Sequence, residues 1–248
     1  MPRRLVYAND TGVTTADKLK QAIETFGPVM AGGYGQTEAP ASISNLPPAE
    51  HLHGGRLATD ERLSSVGRPN PLVRVEILSD AGDILGQGQT GEICVRGDLV
   101  MKGYYKDPQK TAETIVDGWL HTGDIGHFDV HGYLHITDRK KDMIISGGFN
   151  VYPSEVEQVL WSHPAVQDCA VIGVPDEQWG EGVKAVVELS AGHTVTAEEL
   201  IELCKTRLGS VKSPKTVDFI DALPRSPVGK VLKKDLRAHY WQNVERRI

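Results

Sequence analysis

The chain has 248 residues, 40% of them hydrophobic and 24% charged, enough to bury an ordinary core as one large or two smaller domains. Its 33 acidic against 27 basic residues give a net charge of -6, which lacks the broad basic footprint that nucleic-acid binding usually needs. No apolar run approaches the ~20 residues of a membrane span, and residues 1–10 hold no long apolar signal core, so a cytoplasmic protein is expected.

Taken in order, residues 4–8 read as a short strand. Residues 16–26 read as a helix with Leu19, Ala22, Ile23 and Phe26 on one side, stopped by Gly27 and Pro28. The stretch AGGYGQTE at 31–38 reads as a glycine turn that presents a hydroxyl and a carboxylate side by side, two oxygens suited to a hard cation, although such a turn is commonly only a turn. Residues 39–67 are polar and irregular, with His51 and His53 expected in solvent. Residues 73–78 and 91–95 alternate as strands, and 109–116 read as a helix. Cys94, Cys169 and Cys204 are odd in number, far apart and set in apolar patterns, which favours reduced buried thiols over disulfides or a zinc knuckle.

The stretch from Asp117 to Glu157 organises the rest. It begins as a hairpin turning at Asp129 and Gly132, followed by the charged run Asp138, Arg139, Lys140, Lys141 and Asp142, which a buried sheet would not carry and which reads as a solvated hinge. His121, His127, His131 and His135 invite a metal reading, but His131 and His135 would share a face only on a helix, and the pattern there is strand. Ser146, Gly147 and Gly148 can let a ligand approach the main chain, and Ser154 with Glu157 reads as a capping box behind Pro153. Strands are expected at 166–174, 183–189 and 217–220, with a loop at 175–182. A second capping box is expected at Thr196 and Glu199, and a last helix at 232–240 after the loop LPRSPVGK.

Four stretches in fixed order, YGQTE at 34–38, TGE at 90–92, TGD at 122–124 with DRKKD at 138–142, and PRSPVGK at 224–230, resemble the AMP-forming adenylating enzymes. That superfamily comprises acyl-CoA synthetases, peptide-synthetase adenylation domains and firefly luciferase. GGFNVYPSEVE and DEQWGE look most like the fatty-acid and related acyl-CoA ligases, and the resemblance covers nearly the whole chain.

The resemblance implies a fold of mixed α/β and α+β class. Residues 1–138 would be the C-terminal part of a large AMP-binding lobe, the end of an α/β sheet plus a small β-barrel-like subdomain. Residues 139–142 would be the hinge, and 143–248 a small mobile α+β domain. It implies ATP-dependent activation of a fatty or other hydrophobic carboxylic acid as acyl-AMP, with release of pyrophosphate and transfer of the acyl group to CoA.

Site roles follow by resemblance. Tyr34, Gly35 and Gln36 would line the nucleotide and acyl pocket, and Thr37 and Glu38 would bind phosphate and magnesium. Asp124 and Arg139 would hold the ribose, Ile136 and Asn150 would meet the nucleotide, and Lys230 would be the catalytic lysine of adenylation. Lys141 would be the pivot of a domain rotation that exchanges Lys230 for Ser146, Gly147 and Gly148, the wall of a CoA channel. A carboxylate accepts both ribose hydroxyls, a guanidinium supplies fixed donors beside it, and a lysine offsets the charge gathering at the α-phosphate.

Three features depart from the family pattern. The Ser/Thr/Gly-rich phosphate loop is not in this sequence, ANDTG at 8–12 stands where relatives carry a Gly-Ala-Pro-like turn, and Val228 replaces a small or hydroxylated residue. The chain is therefore expected to be a C-terminal half, with apolar surface on residues 1–138 that a missing lobe or self-association would cover. Two competing readings are acyl transfer to a carrier protein, and an inactive or regulatory fragment.

Overall fold

In this computed structural model, which describes residues 6–7, 16–227 and 229–241, the helical stripe at 16–26 folds as α1 (Ala16–Phe26). Ile23 is its buried residue, Phe26 stays exposed, and Gly27 ends the helix at φ +77°. The helix links β1 (Val6–Tyr7) to β2 (Met30–Gln36), which pair in parallel, a crossover typical of an α/β sheet. The turn expected at 8–12 and Val228 lie outside the described residues.

The glycine turn expected at 31–38 is corrected: Gly32, Gly33 and Gly35 lie inside β2, and the chain reverses at Thr37 and Glu38 into β3 (Ala39–Leu46). Small residues suit this strand because its neighbour crowds it; a Cβ on Gly35 would meet the Ser42 nitrogen at 3.3 Å. Residues 39–67 are likewise more ordered than their polarity suggests. After β3 come a 3-10 turn (Pro48–His51), β4 (Leu52–His53), β5 (Arg56–Leu57) and α2 (Asp60–Ser64), capped by the Thr59 hydroxyl. β6 (Arg68–Pro69) completes the sheet order β1-β2-β3-β6.

His51 is fully buried, and neither ring nitrogen has a hydrogen-bond partner among the described residues, contrary to the solvent position expected for it. Burial holds its imidazole below the ordinary 6.5, partly opposed by Glu50, and His127 is lowered by burial and by its neighbour His135. Groups depressed in the fold contribute stability that is complete above the unfolded value and lost as the pH falls through the folded one. Thermal stability should therefore fall as the pH drops below about 6.5, with a shallower slope in His51→Leu. A melting temperature that does not fall as the pH is lowered from about 6.5 contradicts this.

The alternation at 73–78 gives β7 (Val73–Leu78), paired antiparallel with β8 (Gly91–Gly97). The helix expected at 109–116 is shorter, α3 (Pro108–Thr114), because β9 (Ile115–Val116) pairs with β10 (Trp119–Phe128). β11 (Leu134–Arg139) finishes the order β11-β10-β8-β7. The turn between β10 and β11 is set by Asp129, whose Oδ1 accepts the amides of His131 and Tyr133, both at 2.8 Å. Ile43, Ile77, Ile93, Val95, Leu120 and Leu134 form the core, each contributing roughly 1.5–3 kcal/mol by leaving water.

The chain divides into two compact units, Met1–Thr137 and Asp138–Ile248. In the second, a 3-10 turn (Lys140–Asp142) leads to β12 (Ile144–Ser146), β13 (Phe149–Val151) and α4 (Pro153–Trp161). β14 (Val166–Asp176) and β15 (Gly180–Leu189) extend into the loop expected at 175–182, leaving only 177–179 as the turn. β16 (Thr216–Phe219) lies parallel to β15. α5 (Ala197–Lys212) has the expected capping box at Thr196 and Glu199, and α6 (Lys233–Tyr240) closes the described chain.

The capping box expected at Ser154 and Glu157 is not formed. The Ser154 amide donates instead to Asp138 Oδ2 at 2.8 Å, and Glu157, 5% exposed, accepts the Val171 amide and the Lys233 ammonium, each at 2.7 Å. The cysteines are free and buried; burial raises the Cys169 thiol and pushes Cys204 up to about 11, so both stay protonated and unreactive.

Candidate functional site

Antiparallel pairing of β10 with β8 carries a register shift between His121 and Ile125, so Thr122, Gly123 and Asp124 bulge out of the ladder. The bulge is pinned from β8. Thr122 Oγ1 donates to the Ile93 carbonyl at 2.7 Å, and the Gly123 amide donates to Glu92 Oε1 at 3.0 Å. Asp124 is thereby fixed at 4% exposure, facing the end of β2.

There the strand period turns Tyr34 and Gln36 to the same side. The Tyr34 hydroxyl and Gln36 Nε2 both donate to Asp124 Oδ2 at 2.7 Å, and Gln36 also donates to the Thr122 carbonyl at 2.9 Å. Tyr34, Gln36 and Asp124 thus meet, while Gly35 between them is exposed. Thr37 and Glu38 occupy the adjoining turn, Thr37 exposed and Glu38 half-buried.

Tyr104, unassigned by the sequence reading, donates its hydroxyl to Glu38 Oε1 at 2.7 Å, and that bond raises its own pKa above the usual phenol value. Lys110 sits over its ring, 4.3 Å from the centroid. Glu92 was also missed as an individual residue, although TGE drew attention to its position. Neither contact leaves a local signal in the sequence, since each partner comes from a distant strand or turn. Ile136, on β11, packs against the core of this unit.

The remaining candidates lie in or at the edge of the second unit. Arg139 and Lys141 are exposed at the 3-10 turn, where Asp138 Oδ1 accepts the Arg139 amide at 2.7 Å. Gly147 and Gly148 form the two-residue turn between β12 and β13, with φ of +58° and +83°, the positive pair that a type I′ turn needs. Ser146 is buried, whereas Asn150, paired with Ile145, is exposed.

The Gly147 amide donates to the Trp179 carbonyl at 2.8 Å, and a Cβ at Gly147 would stand 2.5 Å from Trp179 Cε3. Gly147→Ala should therefore lower stability by about 1–2 kcal/mol from its left-handed backbone, and displace the indole as well. Thermal unfolding with tryptophan fluorescence checks this; an unchanged melting temperature and spectrum contradict it.

Lys230 is exposed at the end of a loop closed by the Arg225–Val231 bridge. Its amide donates to Ser226 Oγ at 3.2 Å, its carbonyl accepts the Ser226 amide at 2.8 Å, and Arg225 donates to the Gly229 carbonyl at 3.2 Å. Arg225 also pairs with Asp168, which ties the loop to β14.

Comparison with known proteins gives these features a common origin. Residues 4–105 match the AMP-binding enzyme family, and residues 155–230 match the AMP-binding enzyme C-terminal domain. A medium/long-chain-fatty-acid–CoA ligase of Mycobacterium tuberculosis is 44% identical over 239 residues, covering 93% of this chain and 40% of the relative. A fatty acid–[acyl-carrier-protein] ligase of Streptomyces coeruleorubidus is 40% identical, covering 93% of this chain and 43% of the relative. The solved structure of an amide bond synthetase from Marinactinospora thermotolerans superimposes with a TM-score of 0.82 at 40% identity, covering 96% of this chain and 47% of that one. The chain thus spans about two fifths of the length of the curated relatives it matches. From the two family matches and these relatives, the chain belongs to the AMP-binding enzyme family, the AMP-forming adenylating enzymes.

Proposed function

We propose that the gene product carrying this chain is an ATP-dependent, AMP-forming acyl-CoA ligase acting on a fatty or other hydrophobic carboxylic acid. The observation that carries the reading is the convergence of Tyr34 and Gln36 on Asp124, both at 2.7 Å, beside the Thr37–Glu38 turn. Two donors on one oxygen fix the carboxylate plane, and a carboxylate so oriented accepts both hydroxyls of a ribose. Arg139, Ile136 and Asn150 complete the proposed nucleotide contacts.

Thr37 and Glu38 offer an all-oxygen donor set, a hydroxyl and a carboxylate already oriented by Tyr104, and this fits magnesium. Magnesium takes one or two protein oxygens and fills its shell with water and substrate phosphates. When bound there it would neutralise phosphate charge. Lys230 would meet the charge that gathers at the α-phosphate as the carboxylate attacks, on a domain, residues 143–248, that turns about Lys141 between half-reactions.

CoA is proposed as the acceptor because Gly147 and Gly148, next to Ser146 at the end of β12, form a narrow turn without side chains along which a thiol-bearing chain would pass. The M. tuberculosis relative at 44% identity is named as a CoA ligase. The S. coeruleorubidus relative favours a second reading, acyl transfer to a carrier protein. Assay of the gene product with ATP, magnesium, CoA and a panel of carboxylic acids should release pyrophosphate and form a CoA thioester. Acylated carrier protein in preference to acyl-CoA selects the second reading, and no thioester with any acid rejects the first.

A further inference from the structure

Asp129 builds the β10–β11 turn with one oxygen only. Oδ1 accepts two amides at 2.8 Å each, which leaves Oδ2 directed away from the turn. Its neighbour there is His135 Nε2, at 3.5 Å, a buried nitrogen with no hydrogen-bond partner among the described residues. Glu61, on α2, brings a third ligand atom, a carboxylate oxygen, and the three ligand atoms lie within 4.8 Å of one another. α2 is held against the hairpin by the Val66 amide on the Leu134 carbonyl, 2.9 Å, the Leu134 amide on the Gly67 carbonyl, 2.8 Å, and Arg62 over the Tyr133 ring.

We propose that Glu61, Asp129 and His135 form a binding site for a divalent first-row transition cation, with Zn2+ the best fit, on the β10–β11 hairpin. Tetrahedral zinc with nitrogen and oxygen ligands separates adjacent ligand atoms by about 3.3–3.6 Å, and the His135–Asp129 separation of 3.5 Å is already that edge. It is too long for a good hydrogen bond, so Asp129 Oδ2 and the buried His135 nitrogen gain little from each other without an ion between them. The exposed Glu61 marks the open side, through which an ion enters and a water completes the shell.

The His127 ring fixes the plane of the ligand, stacking on His135 at 5.0 Å with 9° between planes. The four-histidine arrangement considered from the sequence is not what forms: His131 is exposed in the turn, and His121 sits on β10 beside Glu92 and Cys94. An ion at Glu61, Asp129 and His135 would tie α2 to β11, the strand that carries Ile136 and ends at Arg139.

Calorimetric titration of the chelator-treated chain with Zn2+ should give one site per chain, weakened at least tenfold in Glu61→Gln and in His135→Gln and unchanged in His53→Gln. Glu61 is exposed on a short helix, so Glu61→Gln remains decisive if His135→Gln fails to fold. The Co2+ complex should lack a thiolate charge-transfer band. No saturable binding, binding that survives Glu61→Gln, or a cobalt–thiolate band that places the ion on Cys94 overturns the site.

Discussion

Lys230→Ala in the gene product carrying this chain is expected to slow acyl-AMP formation by about 10²–10³-fold and to leave thioester formation from supplied acyl-AMP near the wild-type rate. The asymmetry follows from charge. A carboxylate approaching a triphosphate brings two anions together, and the transition state concentrates charge on the α-phosphate, where an ammonium acts most strongly. In the second half-reaction a thiol attacks a carbonyl and that concentration is absent.

The loop is built to hold Lys230 by its backbone, through Ser226 and the Arg225 contact to Gly229, so truncating the side chain leaves the loop bonds in place. Separate rates, from pyrophosphate release and from thioester formation on synthetic acyl-AMP, check the expectation. Equal damage to both steps contradicts it.

Lys233→Met is expected to cost about 3–5 kcal/mol of stability, the largest effect of any single change in the second unit considered above. It removes the partner of Glu157, 2.7 Å away, and strands a carboxylate that is 5% exposed. Burial alone would depress Lys233, but the charges of Glu157, Asp138 and Asp142 prevail and hold its ammonium above the ordinary 10.5. That contribution is complete below the unfolded value and is lost as pH rises through the still higher folded one, while burial raises the Glu157 carboxyl and Lys233 opposes that rise.

The double variant Glu157→Gln, Lys233→Met should recover most of the loss, because no charge is left buried and an amide oxygen can still accept from Val171. Denaturant unfolding of the four proteins checks this; additive losses contradict it. The pair also anchors the start of α6, since Lys233 is its first residue and the loop carrying Lys230 ends just before it.

Where local period or local capping decided the structure, the sequence reading needed no correction. Alternation marked β7 and β8, Asp129 and Gly132 marked a hairpin turn, and Thr196 with Glu199 capped α5. The errors fall where a distant residue overrides a local signal. Ser154 and Glu157 have the spacing of a capping box, yet Asp138 takes the Ser154 amide and Lys233 draws Glu157 inward. Glycines in AGGYGQTE suggest a turn, but crowding by β3 makes them strand residues.

The candidate site divides the same way. Asp124, Tyr34 and Gln36 were named from motifs, but that they bond one another is a product of topology, β2 and β10 belonging to different sheets. Glu92 and Tyr104 support the site from β8 and from the turn before α3, and no periodicity assigns them that work.

Formation of an acyl-adenylate leaves its record in the fate of the carboxylate oxygens. With acid labelled in both carboxyl oxygens, attack on the α-phosphate and later release of AMP should leave one labelled oxygen in AMP and none in pyrophosphate. Label in orthophosphate or pyrophosphate, with AMP unlabelled, would contradict the account.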